Sequence, residues 1–148
     1  MAGVALDGST IAPSTKVGFV TYTEWHMASN GWGGVYPFPT PRTTNAVING
    51  KVVSNSHIRI NGKPLSVQNE NTYEHWIASP SPQASPGGWI DSIIPAPDGS
   101  GTGTGTIQNS GSHVKINGVP IALIGTGVTT CLGTSTTLNS GSDFVNVI

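Results

Sequence analysis

Hydrophobic and polar residues alternate in short runs along this chain of 148 residues. In His57–Ile60 and in His113–Ile116 the apolar side chains occupy every second position, as in a strand with one buried face. Helical periodicity is hard to find in the rest of the chain. The alternation predicts an all-β fold with short strands at Val17–Tyr22, Ala46–Ile48, Lys51–Val53, His57–Ile60, Leu65–Val67, Gly105–Gln108, His113–Ile116, Pro120–Ile124, Thr136–Leu138 and Phe144–Ile148.

Asparagine–glycine pairs separate several of these strands, at Asn49-Gly50, Asn61-Gly62 and Asn117-Gly118. Both residue types tolerate a positive φ, so this pair is the strongest short-range signal for a β-hairpin. The composition agrees, because 20 glycines and 11 prolines favour turns and short strands over helices. Hairpins are therefore predicted at all of these pairs.

Two stretches of the chain repeat each other without a gap. They are Ser56–Leu65, which runs on to His75, and Ser112–Ile121, which runs on to Cys131. The offset is constant, since 113 − 57 and 131 − 75 both give 56. A fixed period of this kind indicates one supersecondary unit that is used more than once.

A third copy of the unit is split between the two ends of the chain. The segment Asn139–Ile148 matches the start of the copy at Asn109–His113, whereas Thr23–His26 resembles the later segments Thr72–His75 and Val128–Cys131. The C-terminal strand is therefore predicted to complete the unit that begins at the N-terminus. This closure makes a small cone or prism of three pseudo-threefold β units with few open sheet edges.

In such a ring His26, His75 and Cys131 become equivalent positions around the pseudo-threefold axis. An isolated histidine is usually a surface or hydrogen-bonded residue, but here the same position carries a ligand type three times. Two imidazoles and a thiolate suit tetrahedral Zn²⁺ with one position left. The fourth ligand stays open, and the possibilities are His57, His113, water or no ligand. The parity of His57 and His113 favours surface positions for both.

Catalysis has little support in the sequence. Glu24 and Glu74 are the candidate general bases for a hydrolytic metal, but no His-Glu-x-x-His helix accompanies them. No serine lies in a Gly-x-Ser-x-Gly elbow, and Gly99–Gly105 lacks the lysine of a phosphate-binding loop. A structural metal is the favoured interpretation, and enzymatic activity is not expected.

The bulk composition limits the class of protein. The length predicts a single domain over residues 1–148. Only 9% of the residues are charged and the net charge is −1, so nucleic acid is not an expected partner. Met1–Val4 lacks the start of a signal peptide, and one cysteine excludes an internal disulfide. Folding in the cytoplasm is expected. The low charge fits either a Thr/Ser-rich surface or a surface covered in an assembly.

Two irregular segments interrupt the repeats. Trp32–Pro41 is aromatic and proline-rich, and Ser79–Pro97 with the adjoining Gly99–Gly105 is rich in proline and glycine. Both are predicted to be ordered loops inserted into the β scaffold, with disordered linkers as the alternative. Their aromatic residues act either as anchors or as a sugar-stacking platform, namely Trp32, Tyr36, Phe38, Trp76 and Trp89.

Written as Gly-Ser-x-Val-x-Ile-Asn-Gly-x-Pro followed by a short run to a histidine or cysteine, the repeat resembles the PAAR and PAAR-like family. The resemblance rests on Ser56–Leu65, Ser112–Ile121, Gly125–Gly133 and Ser140–Val145. The family's Pro-Ala-Ala-Arg motif is replaced here by Pro-Leu-Ser-Val and Pro-Ile-Ala-Leu, from Pro64 and Pro120 onwards. Its Gly-Asp before the ligand is replaced too, by Asn69-Glu70 and Gly125-Thr126. The chain is therefore similar to the divergent PAAR-like members.

The resemblance implies a metal-stabilised protein that caps the trimeric central spike of a contractile injection machine. It implies a zinc ion near the point of the cone, with iron as the alternative metal. The implied partners are a trimeric β-helical spike, with one tip per trimer, and the target cell membrane. The chain itself is not expected to be a homo-oligomer. The implied location is the tip of a phage tail, a secretion spike or a released injection particle.

No further domain follows Ile148, so a bare tip is expected. Two other classes stay open: a metal-dependent hydrolase delivered as an effector, and a carbohydrate-binding or adhesin module.

Overall fold

The computed structural model describes residues 2–147, and no helix is present between them. The predicted all-β class is confirmed. The strands are β1 Ala2–Gly3, β2 Ser14–Ser29, β3 Val35–Val53, β4 Arg59–Ile60, β5 Lys63–Pro64, β6 Asn71–Ser79, β7 Trp89–Ile94, β8 Gly101–Ile107, β9 Lys115–Ile116, β10 Val119–Pro120, β11 Gly127–Thr129, β12 Ser135–Thr137 and β13 Asn146–Val147.

Two of the three Asn-Gly pairs form the predicted hairpin turns. Asn61 and Asn117 have φ angles of 51° and 50°, and the glycine after each is also left-handed. They join β4 to β5 and β9 to β10. The prediction for Asn49-Gly50 is wrong, because this pair lies inside β3. A Cβ atom on Gly50 would lie 2.8 Å from the carbonyl oxygen of Tyr73, so glycine permits a close strand approach here.

The chain forms two compact units. Unit 1 contains residues 2–14, 48–75 and 102–147, and unit 2 contains residues 15–47 and 76–101. Unit 2 therefore consists of two segments that follow Ser14 and His75 in the chain. The single domain expected from the length stays a prediction.

Three segments of unit 1 hydrogen-bond to one another in a closed cycle. The N–H of Ala5 donates to the carbonyl of Ala122 (2.9 Å), that of Ala122 to Ser66 (2.9 Å), and that of Ser66 to Ala5 (3.0 Å). A second cycle surrounds the first, formed by Asp7 N to Pro64 O, Gln68 N to Pro120 O and Ile124 N to Gly3 O. Each segment thus has a partner on both sides, which removes open edges.

The two ends of the described chain pair with each other in unit 1. Ala2 lies opposite Val147 and Gly3 opposite Asn146 in the β1–β13 ladder. The predicted pairing of the two chain ends is thus observed. The arrangement of three similar units, in which this ladder would correspond to the β4–β5 and β9–β10 hairpins, stays a prediction.

The longer strands of unit 1 are also closed into a ring. Within it, β12, β11, β8, β6 and β3 are neighbours in that order. Residues 9–12 join the two ends of this series, since Ala12 N donates to Thr137 O and Ile11 N to Gly50 O. The few open edges expected from the repeat are thus explained by main-chain pairing within this unit.

The apolar core of unit 1 lies on both sides of the innermost cycle. Val4 and Leu6 belong to one buried cluster and Ala5 to the other, because alternate residues of a strand point to opposite faces. The first cluster contains Val4, Leu6, Leu65 and Ile121. The second contains Ala5, Ile11, Val52, Ile107, Ala122, Val128 and Leu138. Burial of these side chains is the main term that favours folding of the unit.

Unit 2 is built around β3, β2 and β7, which are neighbours in that order. The expected loop at Trp32–Pro41 is largely strand, because β3 begins at Val35. Pro37, Pro39 and Pro41 are spaced two residues apart, so their missing N–H groups fall on one edge and leave the other edge for pairing with β2. The region predicted as loop at Ser79–Gly105 likewise contains β7 and most of β8.

Among residues 2–147 no helix has the length and hydropathy needed to cross a bilayer.

Candidate functional site

The hydrogen-bond register of unit 1 gives the positions that correspond among the three copies. Main-chain N–H groups of Gly8, Asn69 and Gly125 donate to the carbonyls of Val52, Ile107 and Leu138, at 2.7–2.9 Å. These donors lie at the same distance along the chain from Ala5, Ser66 and Ala122, since 8 − 5, 69 − 66 and 125 − 122 all give 3.

Continued along the chain, the same register aligns Ser14 with His75 and Cys131, since 14 − 5, 75 − 66 and 131 − 122 all give 9. His75 and Cys131 correspond, as their offset of 56 predicted. The third corresponding residue in unit 1 is Ser14, whereas His26 belongs to unit 2. The short likeness of Thr23–His26 to Thr72–His75 did not reveal this difference, because it ignores main-chain pairing.

The completely buried carboxylate of Glu74 holds the turn that carries Cys131. Glu74 Oε1 accepts the main-chain N–H of Cys131 at 2.7 Å, and Oε2 accepts the Thr72 hydroxyl at 2.5 Å. A Cβ atom on Gly105 would clash with Oε2, and one on Gly50 would lie 2.7 Å from the Glu74 Cγ atom. Glycines therefore make room for this carboxylate.

The Cys131 thiol is poorly suited to nucleophilic chemistry in this environment. Burial, and then the hydrogen bond and negative charge of Glu74, raise the pKa of Cys131 to about 12. At neutral pH the group is a thiol, and only the thiolate is a strong nucleophile or metal ligand.

His75 is exposed and lies on the strand face opposite to Glu74, because the two residues are adjacent in β6. It lines an open cavity of about 370 Å³ together with Thr10, Ile11, Asn49, Gly50, Lys51 and Tyr73. The positive charge of Lys51 at this cavity opposes the binding of a metal cation beside His75.

His26 lies in unit 2, where it is part of a network centred on Glu24. His26 Nε2 is 3.0 Å from Glu24 Oε2 and 3.0 Å from the Ser85 hydroxyl. Oε2 also accepts the main-chain N–H and the hydroxyl of Ser85, at 2.6 and 2.8 Å, and Oε1 accepts Arg42 Nε at 2.8 Å. These bonds hold the pKa of Glu24 well below its usual range, and the bond from the Ser85 main chain has the largest effect.

The Glu24 network resembles a catalytic triad only in its residue types. A triad uses one imidazole nitrogen for the nucleophile and the other for the carboxylate. Here the single Nε2 atom contacts both Ser85 and Glu24, and the Ser85 hydroxyl donates directly to the carboxylate. With its lowered pKa, Glu24 is also a weak general base. The network fastens the segment around Ser85 to β2.

Within residues 2–147 no group of three or more histidine, cysteine, aspartate or glutamate side chains is arranged to hold a metal ion. His26 Nε2 contacts Glu24 and Ser85, and His75 faces away from the Glu74 carboxylate that contacts Cys131. In this arrangement the three side chains do not fit a shared centre. The zinc site at His26, His75 and Cys131 stays a prediction. His57 and His113, the possible fourth ligands, are exposed.

Periodicity did not reveal an exposed apolar set in unit 1, formed by Ile58, Val114 and Phe144. Each follows a serine whose hydroxyl accepts its main-chain N–H, at 3.1–3.2 Å. Alternation predicted that Ile58 and Val114 share a buried face with Ile60 and Ile116, but only the latter two are partly buried. The shared Ser-x-apolar spacing was the signal that could have found the set. We call these three residues the apolar rim.

No protein-family model, curated protein or solved structure matches this chain. The resemblance to the PAAR-like family therefore rests on its repeat motif.

Proposed function

We propose that this protein is a PAAR-like tip that caps the trimeric β-helical spike of a contractile injection machine. The proposal is supported by the closed hydrogen-bond cycles of unit 1, which join three corresponding segments of one chain. A single chain with three similar sides is matched to a partner made of three identical chains. One copy would then bind each spike trimer.

The observation that carries the proposal is the apolar rim. Phe144 is 78% exposed, and Ile58 and Val114 occupy corresponding positions in the other two copies. Exposed apolar groups of this kind mark interaction surfaces. A trimeric β-helix ends in three equivalent strand ends, so each chain of the trimer would contact one residue of the rim.

The proposed role is mechanical and needs no turnover. The closed cycles hold the three copies together without free edges, and Glu74 ties β6 to the turn at Cys131. Such a body can transmit an axial load from the spike. The protein would fold in the cytoplasm and act at the tip of a phage tail, a secretion spike or a released particle, in contact with a target membrane.

Co-purification with a trimeric β-helical spike protein encoded beside this chain tests the proposal. Light scattering on the complex is expected to give one copy per spike trimer. Phe144→Asp and Val114→Asp should each abolish the complex, whereas Val17→Asp, at an exposed position of unit 2, should leave it intact. A complex with three copies per trimer, or rim variants that bind normally, would contradict the proposal.

A glycan-binding module is a second candidate, because Trp89 in unit 2 is partly exposed. The ring of Trp89 stacks on Trp25 at a centroid distance of 6.2 Å and an angle of 7°, and Trp25 Nε1 donates to Asp91. One face of each ring is thus covered by the other. Retention on a glycan column that Trp89→Ala abolishes would favour this candidate.

A further inference from the structure

An exposed hairpin in unit 2 has an unusual surface. It comprises residues 27–41, with the end of β2, the turn at 30–34 and the start of β3, and we call it the aromatic hairpin. Its large side chains are exposed on both faces, since Tyr36 and Phe38 alternate with Val35. Trp32 in the turn is 92% exposed.

The aromatic hairpin contains no aspartate, glutamate, lysine or arginine. A surface arm on a protein that remains in water normally carries charged residues among its exposed positions. A hairpin that docks on another protein buries one face and keeps the other polar. Here neither face is charged, so no charged group opposes the transfer of either face out of water.

Four of the five main-chain N–H groups of the turn have an acceptor within the hairpin. Asn30 Oδ1 accepts the N–H groups of Trp32 and Gly34 at 2.7 and 3.2 Å, and Ser29 Oγ accepts that of Gly31 at 3.1 Å. The N–H of Asn30 donates to the carbonyl of Gly34 at 3.1 Å. Main-chain groups without partners are what make irregular structure costly in a bilayer. This turn leaves water at a lower cost than an ordinary loop.

The first strand residues after the turn reduce this cost further. Pro37, Pro39 and Pro41 have no N–H group, and their spacing places the missing donors on one edge of β3. The aromatic hairpin therefore has fewer main-chain donors that need a partner when it leaves water.

We propose that the aromatic hairpin inserts into the interfacial layer of a lipid bilayer, with Trp32 as its leading residue. Tryptophan and tyrosine prefer this layer, where their rings are apolar and their polar atoms stay hydrated. Because the hairpin lacks charge, insertion is driven by apolar burial and not by attraction to anionic lipid. The inference rests on the proposed function, for which it supplies the membrane-contacting segment.

Phosphatidylcholine vesicles test the inference on the full chain. The protein is expected to sediment with the vesicles equally at low and high salt, and the tryptophan emission should shift to the blue. Trp32→Asp combined with Phe38→Asp should abolish both effects. Trp32→Phe is the matched control, because it should retain sedimentation but lose most of the emission shift.

Absence of vesicle binding by the wild-type protein would overturn the inference, as would normal binding by the double variant with an unchanged melting temperature. A concentration-dependent dimer that forms without lipid and is abolished in the double variant would assign the hairpin to a second copy of the chain instead.

The spike assay separates this inference from the proposed function. Phe144→Asp should abolish binding to the spike and retain binding to the vesicles. The double hairpin variant should bind the spike but not the vesicles. A wild-type protein that binds the spike but not the vesicles therefore refutes only the hairpin inference, and one that binds the vesicles but not the spike refutes the capping proposal.

Discussion

The main-chain N–H of Cys131 lies 2.7 Å from Oε1 of Glu74, a carboxylate with no exposed surface. This bond joins β6 to the turn after β11, across 57 residues of sequence. It also explains why Glu74 is not a free general base. Its role is to hold the end of unit 1 where three corresponding residues, Ser14, His75 and Cys131, occur.

Glu74→Ala is expected to destabilise the protein by about 3 kcal/mol, because the buried donors of Thr72 and Cys131 lose their acceptor. Glu74→Gln retains a carbonyl acceptor and should cost less, about 1 kcal/mol. Urea unfolding of the three proteins checks the order. Equal stability of Glu74→Ala and the wild type would mean that the bond has no net effect.

Gly105→Ala should be as damaging as loss of the carboxylate. The new methyl group would clash with Glu74 Oε2 and lie 2.6 Å from the Thr72 hydroxyl, in a site without spare room. Overpacking of this kind costs about 1–3 kcal/mol. Gly127→Ala is the control, since the atom nearest to its new methyl group would be the Gln108 Cβ atom, 3.8 Å away. Similar midpoints of unfolding for both variants would contradict this account.

Ser66→Ala is expected to stabilise the protein. The Ser66 hydroxyl is buried and has no hydrogen-bond partner among the described residues, and the corresponding positions in the innermost cycle are Ala5 and Ala122. Removing an unsatisfied hydroxyl should add about 1 kcal/mol. Ser54→Ala, which removes a hydroxyl that donates to Leu65 O, should lower stability by a similar amount. Calorimetry on both variants should show a higher melting temperature for Ser66→Ala and a lower one for Ser54→Ala than for the wild type.

Acid should destabilise the protein partly through Glu24. Its pKa is held below the usual range in the folded state, so the stabilisation is present above the unfolded pKa of about 4.3 and is lost as the pH falls further. The melting temperature of Glu24→Gln should therefore change less between neutral and acidic pH than that of the wild type. Asp143→Asn, at an exposed position, should retain the wild-type profile. Identical profiles for all three proteins would contradict the role given to Glu24.

Metal analysis tests the zinc site predicted from the sequence. That prediction expects a stoichiometric amount of zinc or iron in the purified protein, loss of the metal in His75→Ala and in Cys131→Ala, and a lower melting temperature after chelation. Asp143→Asn, at an exposed position that is not a candidate ligand, is the control that should retain the metal. A metal-free sample with unchanged stability would contradict the prediction and would agree with the observed partners of His26 and Cys131.

The class of fold and the closure of the chain ends could be predicted because they depend on local signals. Alternation marks strands, Asn61-Gly62 and Asn117-Gly118 mark hairpins, and the split repeat pairs the two termini. The hairpin prediction at Asn49-Gly50 was wrong, because Gly50 does not form a turn. Its lack of a side chain allows close contact with Glu74.

The candidate site was harder to predict because it depends on register. A short likeness around His26 carries no information on main-chain pairing, whereas counting nine residues from the innermost cycle leads to Ser14, His75 and Cys131. Alternation also cannot distinguish an apolar residue that packs inside the protein from one that is exposed, so the exposure of Ile58 and Val114 was missed.

The innermost cycle has a consequence for how the protein folds. Its three bonds join Ala5, Ser66 and Ala122, which are separated by 61 and 56 residues, so none of them forms early from neighbouring residues. Such long-range closure makes folding slow. Once the cycle has formed, none of its three segments can leave without breaking pairings on both sides, so unit 1 is expected to unfold slowly as well. A high barrier to unfolding is therefore expected to keep the protein folded. Under a pulling force, the cycle is expected to break in a single cooperative step.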